Sequence, residues 1–384
     1  MRVFLATSGR LGRDGGPGLW AINLCHPLVR MDQEVVESSI DWDLAMEHLG
    51  DDAWIRLERP RASEMLIDEV RRAHQHRPLD LFLSYFYSAH IDPEAIRQIR
   101  KLGIPAVNFY CNAAHQFHLV SKIAPAFDFC WVPEQQALPA YKAAGANPIH
   151  IQMGANPGFY HPVPGIPRDI PVLFSGQLYA DRARWLARLL DRNLPLRIYT
   201  AVGPYDSPNG NGRLTRPHRD YLQEALEDLR SHGAVSLARR MLRLAPARRA
   251  LKRIASVADT PKSLQDMIRL FSRSEIVLSL SHVYDGGQPG GKIKAHVRLR
   301  DFEAPMCRAL YFPQYCDELP LYYDLHGEVV AWKSLDELCD KIRYYLAHAE
   351  DAERVREAGY RRALRDHTWE RRYEQLFRAM QLAS

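Results

Sequence analysis

Over the first 160 positions, short apolar runs alternate with stretches of helical periodicity. Val3–Ala6, Glu34–Ser38, Leu79–Tyr87, Ile104–Tyr110, Phe129–Val132 and Ile149–Met153 read as strands. Leu79–Tyr87 (LDLFLSYFY) is apolar almost throughout, as a strand covered on both faces requires. Between the strands, helices are predicted over Gly18–Val29, Asp92–Leu102, Gln116–Phe127 and Gln135–Ala144. Asp92-Pro93-Glu94 supplies a cap, a proline in the first turn and an acid beside the helix N-terminus. Strand–helix alternation of this kind predicts a parallel sheet with helices on both faces. Prolines at 157, 162, 164 and 167 then interrupt the pattern and mark the best domain boundary in the chain.

A second alternating unit follows. Strands are predicted at Ile170–Phe174, Leu196–Ala201, Glu275–Leu280, Ala309–Phe312 and Glu328–Trp332. Helices are predicted at Ala180–Asp191, Ser263–Arg273, from Phe302, at Leu335–His348, Asp351–Ala363 and Trp369–Met380. Ser334 and Glu337 have the spacing of a capping box. The fold class is α/β with two Rossmann-like lobes, 1–160 and 168–365. The second is predicted to carry an insertion at 203–260, and a C-terminal helical segment, 366–384, follows it.

Composition narrows the function classes. The 384 residues are 46% apolar and 25% charged, ordinary for a globular chain, and the net charge of +5 is too mild for a nucleic-acid binder. That charge is local: 237–254 holds seven Arg/Lys and no acid. This stretch reads either as a peripheral contact with an anionic membrane or as a solvated helical face. Six cysteines form no metal-ligand spacing, which suits reduced, buried thiols. Val3–Ala6 is shorter than the roughly 7–15 apolar residues of a signal peptide core. No stretch reaches the roughly 18 apolar residues of a spanning helix. A cytoplasmic protein, at most peripheral on the inner membrane face, is the expectation.

Candidate chemistry gathers at predicted strand ends, where α/β sheets bind ligands. Gly15, Gly16 and Gly18 follow the first strand as an acceptor-side loop, and their spacing is not that of a dinucleotide fingerprint. Asp41-Trp42-Asp43 is a DxD, a pattern able to share a divalent cation and also common by chance. Asn112 and His115, with His118 close by, leave the strand Ile104–Tyr110, offering an amide for hydroxyls and an imidazole for proton transfer. Gly176 and Gln177 end the second lobe's first strand, and Arg182 follows. The densest cluster runs from Asp285 to Glu303. Glycines precede Lys292, Lys294, His296, Arg298 and Arg300, cations suited to a diphosphate, and Glu303 suits a ribose diol. The alternating Lys and Arg pairs also fit the exposed side of an edge strand.

From about Lys294 to Phe377 the chain resembles the CgeB-like (spore maturation) branch of glycosyltransferases. The likeness rests on Arg300-Asp301-Phe302-Glu303-Ala304-Pro305, Asp317-Glu318-Leu319, Tyr345–His348, Glu357–Tyr360, His367-Thr368-Trp369 and Arg372. Asn156–Pro162 and Val172–Gly176 also fit. The resemblance implies a GT-B fold with a cleft between the lobes, a nucleotide-sugar donor held mainly by the second, an acceptor entering from the first, and a last helix, 366–384, that crosses back onto the first lobe. It implies a metal-independent, retaining glycosyltransferase of polysaccharide biosynthesis, without cofactor, whose hydroxyl acceptor is a glycan, a lipid-linked sugar or a small molecule. In the related family-4 enzymes an E-x7-E motif is usual; Glu303 matches its second glutamate, the ribose ligand, and Ala295 stands where the first falls. Lys294 and His296 are the candidates to replace it. By the same resemblance Lys294 and Arg300 match basic positions beside the diphosphate, with Gly176 and Arg182 on its other side; Arg298 and Gln177, read from the residues themselves, complete the donor-site candidates. His115, Asn112, Lys294 and Arg300 are the catalytic candidates. The competing classes are a GT-B epimerase or phosphorylase, a non-catalytic binding or assembly protein, and a Rossmann oxidoreductase.

Overall fold

A computed structural model describes residues 1–9, 17–47, 51–178, 181–200, 249–260, 263–284 and 293–382. The chain forms two units: Met1–His161 with Val297–Met306 and Arg361–Ser384, and Pro162–His296 with Cys307–Tyr360. The boundary between His161 and Pro162 falls inside the proline-rich segment.

The first unit is built on six parallel strands in the order β2-β1-β3-β4-β5-β6. They are β1 (Arg2–Thr7), β2 (Glu34–Glu37), β3 (Leu81–Tyr85), β4 (Ala106–Phe109), β5 (Phe129–Val132) and β6 (Pro148–His150). β1 and β3 are buried at every position, so their apolar residues point to both faces rather than alternating. Val3 pairs with Leu81 and Val107 with Phe129, which aligns the strand ends that carry the chemistry.

Helices α1 (His26–Arg30), α2 (Trp42–Glu47), α3 (Asp52–His76) and α4 (Pro93–Lys101) belong to this unit. So do α5 (Ala113–Gln116) and α6 (Leu138–Ala143). The pattern leaves α3 unassigned, yet it is the longest helix described. Pro60 lies inside it, and its buried residues Ser63, Leu66, Ile67 and Val70 occupy only the second half, so its apolar period is short. The helix predicted over Gln116–Phe127 is instead α5 followed by two short 3-10 turns, Phe117–Leu119 and Ala124–Ala126. Pro125 removes a backbone donor there. Gly18–Val29 becomes a single π-helical turn, Ala21–Cys25, running into α1.

The second unit holds five parallel strands in the order β13-β10-β7-β8-β9. These are β7 (Ile170–Ser175), β8 (Leu196–Tyr199), β9 (Ala258–Asp259), β10 (Ser274–Leu278) and β13 (Leu310–Phe312). β11 (His282–Tyr284) and β12 (Ile293–Ala295) form an antiparallel pair. Its helices are α7 (Arg182–Asp191), α8 (described over 249–255), α9 (Leu264–Arg273), α11 (Leu335–Ala347) and most of α12 (Ala349–Asp366). Leu186, Leu189, Trp332, Leu338, Ile342 and Val355 form its core. Glu328–Trp332 makes only an isolated bridge, Gln314 to Trp332, rather than the predicted strand. The Ser334 hydroxyl accepts from the Glu337 amide at 3.2 Å, as the capping box predicts. The Glu337 carboxylate reaches the Lys333 amide at 2.8 Å, one residue short of the reciprocal bond.

Ala250 and Ile254, at the described end of the basic stretch 237–254, are buried in this core, and Arg253 pairs with Asp191. That end is a helical face packed on its own unit. Residues 237–248 and most of the predicted insertion 203–260 lie outside the described residues. All six cysteines are buried and free. Among the described residues no helix is long and apolar enough to cross a membrane.

Helices α10 (Arg300–Met306) and α13 (Trp369–Ala379) make their contacts in the first unit. Trp369 is fully buried, lies edge-on to Trp131 at 5.7 Å, and donates from its indole to Asn23 at 2.9 Å. Tyr373 donates to the Leu24 carbonyl at 2.8 Å. Ala155 bridges to Thr368, and a Cβ on Gly154 would meet the Thr368 carbonyl carbon at 2.7 Å. Only glycine admits so close a backbone crossing.

His90 supplies a pH-dependent term in stability. It is 1% exposed, its Nδ1 accepts from the Tyr87 amide at 3.1 Å, and its ring packs on Trp42, Phe86 and Tyr87. Burial pushes its pKa from 6.5 down to about 3. Above pH 6.5 both folded and unfolded forms are neutral. Below it the unfolded chain takes a proton that the folded chain refuses, so stability falls as pH falls toward 3. The expected loss from this group is roughly 1.4 kcal/mol per pH unit. Denaturant unfolding of wild type and His90→Gln between pH 7 and 5 measures it; equal pH slopes would refute the buried neutral imidazole.

Candidate functional site

The C-terminal ends of β4 and β5 place two of the predicted residues. β4 runs through Tyr110 and Cys111 to Asn112, whose carbonyl accepts from the amides of His115 and Gln116 at 3.3 and 2.9 Å. Asn112 occupies the cap position of α5, yet its side chain makes no capping bond. The cap comes from the neighbouring strand. Glu134, two residues past the end of β5, accepts from the Ala114 amide at 2.9 Å. Glu134 is 1% exposed, and one of its carboxylate oxygens lies within 4.8 Å of a ring nitrogen of half-buried His115. A carboxylate beside an imidazole helps to fix the orientation of the ring. The pair also offers one oxygen and one nitrogen donor, part of a ligand set for a zinc-type ion. His118, by contrast, is exposed on the following 3-10 turn.

Behind this edge the Tyr85, Tyr87 and Tyr110 rings pack against one another, and the Tyr85 hydroxyl lies 3.6 Å from the Cys111 sulfur. Burial pushes the Cys111 thiol up to about 12, so it stays protonated at neutral pH and is no nucleophile. Glu134 adds to that rise and Arg298 opposes it, which brings both charges to the same thiol.

Arg298, Arg300 and Glu303 gather around the first turn of α10, in the same unit. The Asp301 carboxylate accepts from the Arg298 amide at 2.6 Å, and the Arg298 carbonyl accepts from the Asp301 amide at 3.0 Å. Arg300 pairs with Glu303 at 2.8 Å. Glu303 is 3% exposed, whereas Arg298 and Arg300 are half-buried. The Phe302 ring, on the next residue of the same turn, lies against His367 and Arg372.

In the second unit, Gly176 follows β7 and its amide donates to the Tyr199 carbonyl at 3.0 Å. Arg182 is 6% exposed and donates to the Gln177 carbonyl at 2.9 Å, while its guanidinium lies against Gly176. This arginine opposes the helix dipole because it fastens the β7–α7 turn. Asp181, at the α7 cap, accepts from the Tyr284 hydroxyl at 3.0 Å. Lys294 lies half-buried on β12 opposite Val283, whereas Arg298 precedes and Arg300 begins α10, so the Lys and Arg pairs do not share the exposed side of one strand. His296 is buried just beyond it. Lys292 and the glycines before it lie outside the described residues, as do Gly15 and Gly16.

Gly18 is described, just ahead of the first π turn. The DxD has a local use: Asp43 accepts from the Gly9 amide at 2.6 Å, holding a turn where Gly9 has φ +67, and Asp41 accepts from the Asp43 amide at 3.0 Å. Sequence reasoning missed Glu134 and the Phe302 contacts. Glu134 obeys the same strand-end rule that singles out Asn112 and was therefore legible. The partners of Phe302, more than 60 residues away, were not.

Comparison with known proteins places this geometry. A family model described as glycosyl transferase-like matches residues 219–378. A search of curated proteins found no match. Among solved structures, a sucrose-phosphate synthase from Thermosynechococcus elongatus aligns over 100% of both chains at 12% identity, TM-score 0.60. Anabaena Alr3699/HepE, solved with UDP-glucose, aligns over 99% of both chains at 13% identity, TM-score 0.57. AviGT4, a glycosyltransferase involved in avilamycin A biosynthesis, covers 99% of this chain and 97% of its own at 14% identity, TM-score 0.54. At such identities the shared property is the fold. The chain has the α/β fold of the GT-B glycosyltransferases, and its residues 219–378 match the glycosyl transferase-like family model.

Proposed function

We propose that this protein is a glycosyltransferase that moves a sugar from a nucleoside-diphosphate sugar to a hydroxyl acceptor without a metal ion. The observation that carries the reading is the buried Glu134 carboxylate within 4.8 Å of the His115 ring, at the strand ends of the unit that also holds Arg298, Arg300 and Glu303. The acceptor oxygen attacks the anomeric carbon as the bond from that carbon to the β-phosphate oxygen breaks. His115 takes the acceptor proton, and the departing diphosphate keeps the electron pair. Arg298 and Arg300 stabilise its growing charge, the part a divalent cation plays elsewhere. Glu303 receives ribose hydroxyls and Asn112 an acceptor hydroxyl. The UDP-glucose complex of Alr3699/HepE favours a uridine donor as the first to test.

A thermal-shift panel of UDP-, GDP-, TDP- and CMP-sugars tests the donor. A donor at 100 times its Kd should stabilise the fold by about 2.7 kcal/mol. If no nucleotide sugar shifts the midpoint, the reading fails; if one shifts it but is never consumed, the chain is a nucleotide-binding protein. Turnover that survives EDTA supports metal independence, and loss restored by zinc would make His115 and Glu134 ligands instead. The anomeric configuration of the product decides retention, which the family resemblance implies. A base-assisted single displacement inverts, so a retained product would remove His115 from the role of base, and an inverted product overturns retention and leaves His115 in place.

A further inference from the structure

We propose that His367 and Arg372 form a clamp on Phe302 that sets the position of the first turn of α10, and so act as positioning residues for donor binding. The proposal rests on the reading of Arg300 and Glu303 as donor contacts.

The Phe302 ring is fully buried, with the His367 ring 5.1 Å away and the Arg372 guanidinium 5.6 Å from its centre. A cation over an aromatic face and a second ring beside it restrict both rotation and translation of that side chain. Phe302 lies between Arg300, Asp301 and Glu303 in one helical turn, so its position fixes theirs.

The clamp is itself over-determined. Arg372 is 4% exposed; its Nε donates to the Met153 carbonyl at 2.9 Å and another nitrogen donates to the Asp366 carbonyl at 3.2 Å. Its remaining terminal nitrogen lies 2.9 Å from His367 Nδ1. Arginine has donors only, so Nδ1 accepts and the His367 proton sits on Nε2. Beside it the Ala155–Thr368 bridge and the backbone contact at Gly154 hold the α12–α13 corner against the strand ends. An arginine with this many fixed partners is a rigid platform, not a mobile surface cation. The seven-residue helix α10 has little purchase of its own, because so short a helix depends on tertiary contacts.

The test uses the full chain and three variants. His367→Leu keeps bulk and removes the acceptor. His367→Asn keeps an acceptor oxygen near the place of Nδ1. Arg372→Lys keeps charge and removes the planar fork. Hydrogen exchange by mass spectrometry is read over 298–306, and UDP affinity by calorimetry. The expected result is faster exchange over 298–306 in His367→Leu and Arg372→Lys, with UDP Kd raised roughly tenfold, and recovery of both in His367→Asn. Unchanged exchange over 298–306 overturns the clamp. Faster exchange with unchanged UDP affinity also overturns it, because the turn would then be ordered for no donor. If wild type binds neither UDP nor any other nucleoside diphosphate, the functional reading fails and positioning for donor binding falls with it, whatever the exchange pattern.

Discussion

Replacing His115 with alanine is expected to lower turnover on the order of 10²-fold while leaving donor affinity near wild type. In the proposed mechanism the imidazole accepts the proton of the incoming hydroxyl, an interaction that strengthens only as the bond forms, so its loss appears in kcat. Glu134→Gln provides the companion measurement. Glutamine keeps an oxygen for the Ala114 amide, which Glu134 accepts at 2.9 Å, and so preserves the α5 turn while removing the charge beside the ring. It should therefore slow turnover without unfolding the chain. Initial rates of UDP release with a saturating donor, alongside calorimetric donor affinity, give both numbers. Turnover in His115→Ala within a factor of two or so of wild type would take the residue out of the mechanism.

Arg300→Ala should cost about 3 kcal/mol of stability. Glu303 is 3% exposed and Arg300 is its ion-pair partner at 2.8 Å. Removing the arginine leaves a carboxylate buried and uncompensated, which is worse than having no pair at all. For a chain of 384 residues that corresponds to a melting midpoint lower by roughly 4 °C. The double variant Arg300→Ala/Glu303→Gln removes the stranded charge and should regain part of the loss. Equal midpoints for wild type and Arg300→Ala would mean the pair is open to water in solution. The experiment also separates stability from function: the double variant, though better folded than the single one, lacks the proposed ribose acceptor and should bind donor weakly.

The strands were legible because burial on both faces of a parallel sheet demands continuous apolar runs. Phe129–Val132 and Ile170–Ser175 lie within a residue of where the pattern puts them, and Leu81–Tyr85 sits inside the predicted Leu79–Tyr87, two residues shorter at each end. Helices were legible where a cap and a clean apolar stripe coincide, as at Pro93–Lys101 and Leu335–Ala347. Asp52–His76 escaped because little of its first half meets the core. Gln116–Phe127 departs from its pattern because Val120, Ile123, Ala124 and Phe127 are buried at a helical spacing while Pro125 removes a backbone donor and the segment folds as turns and two short 3-10 helices.

Residue types and strand ends alone determined the fold class, the segment boundary at the prolines, and the candidacy of His115, Asn112 and the Lys294–Glu303 cluster, since these follow from local periodicity and from the strand-end rule. Which of those residues share a unit was decided only in three dimensions. Arg300–Met306 sits with the first unit because Phe302 packs on His367 and Arg372, and Arg182 is a loop fastener because its guanidinium meets the Gln177 carbonyl. Such pairings join positions remote in sequence or turn on side-chain direction. Neither leaves a periodic trace along the chain, so packing and not pattern assigns the roles.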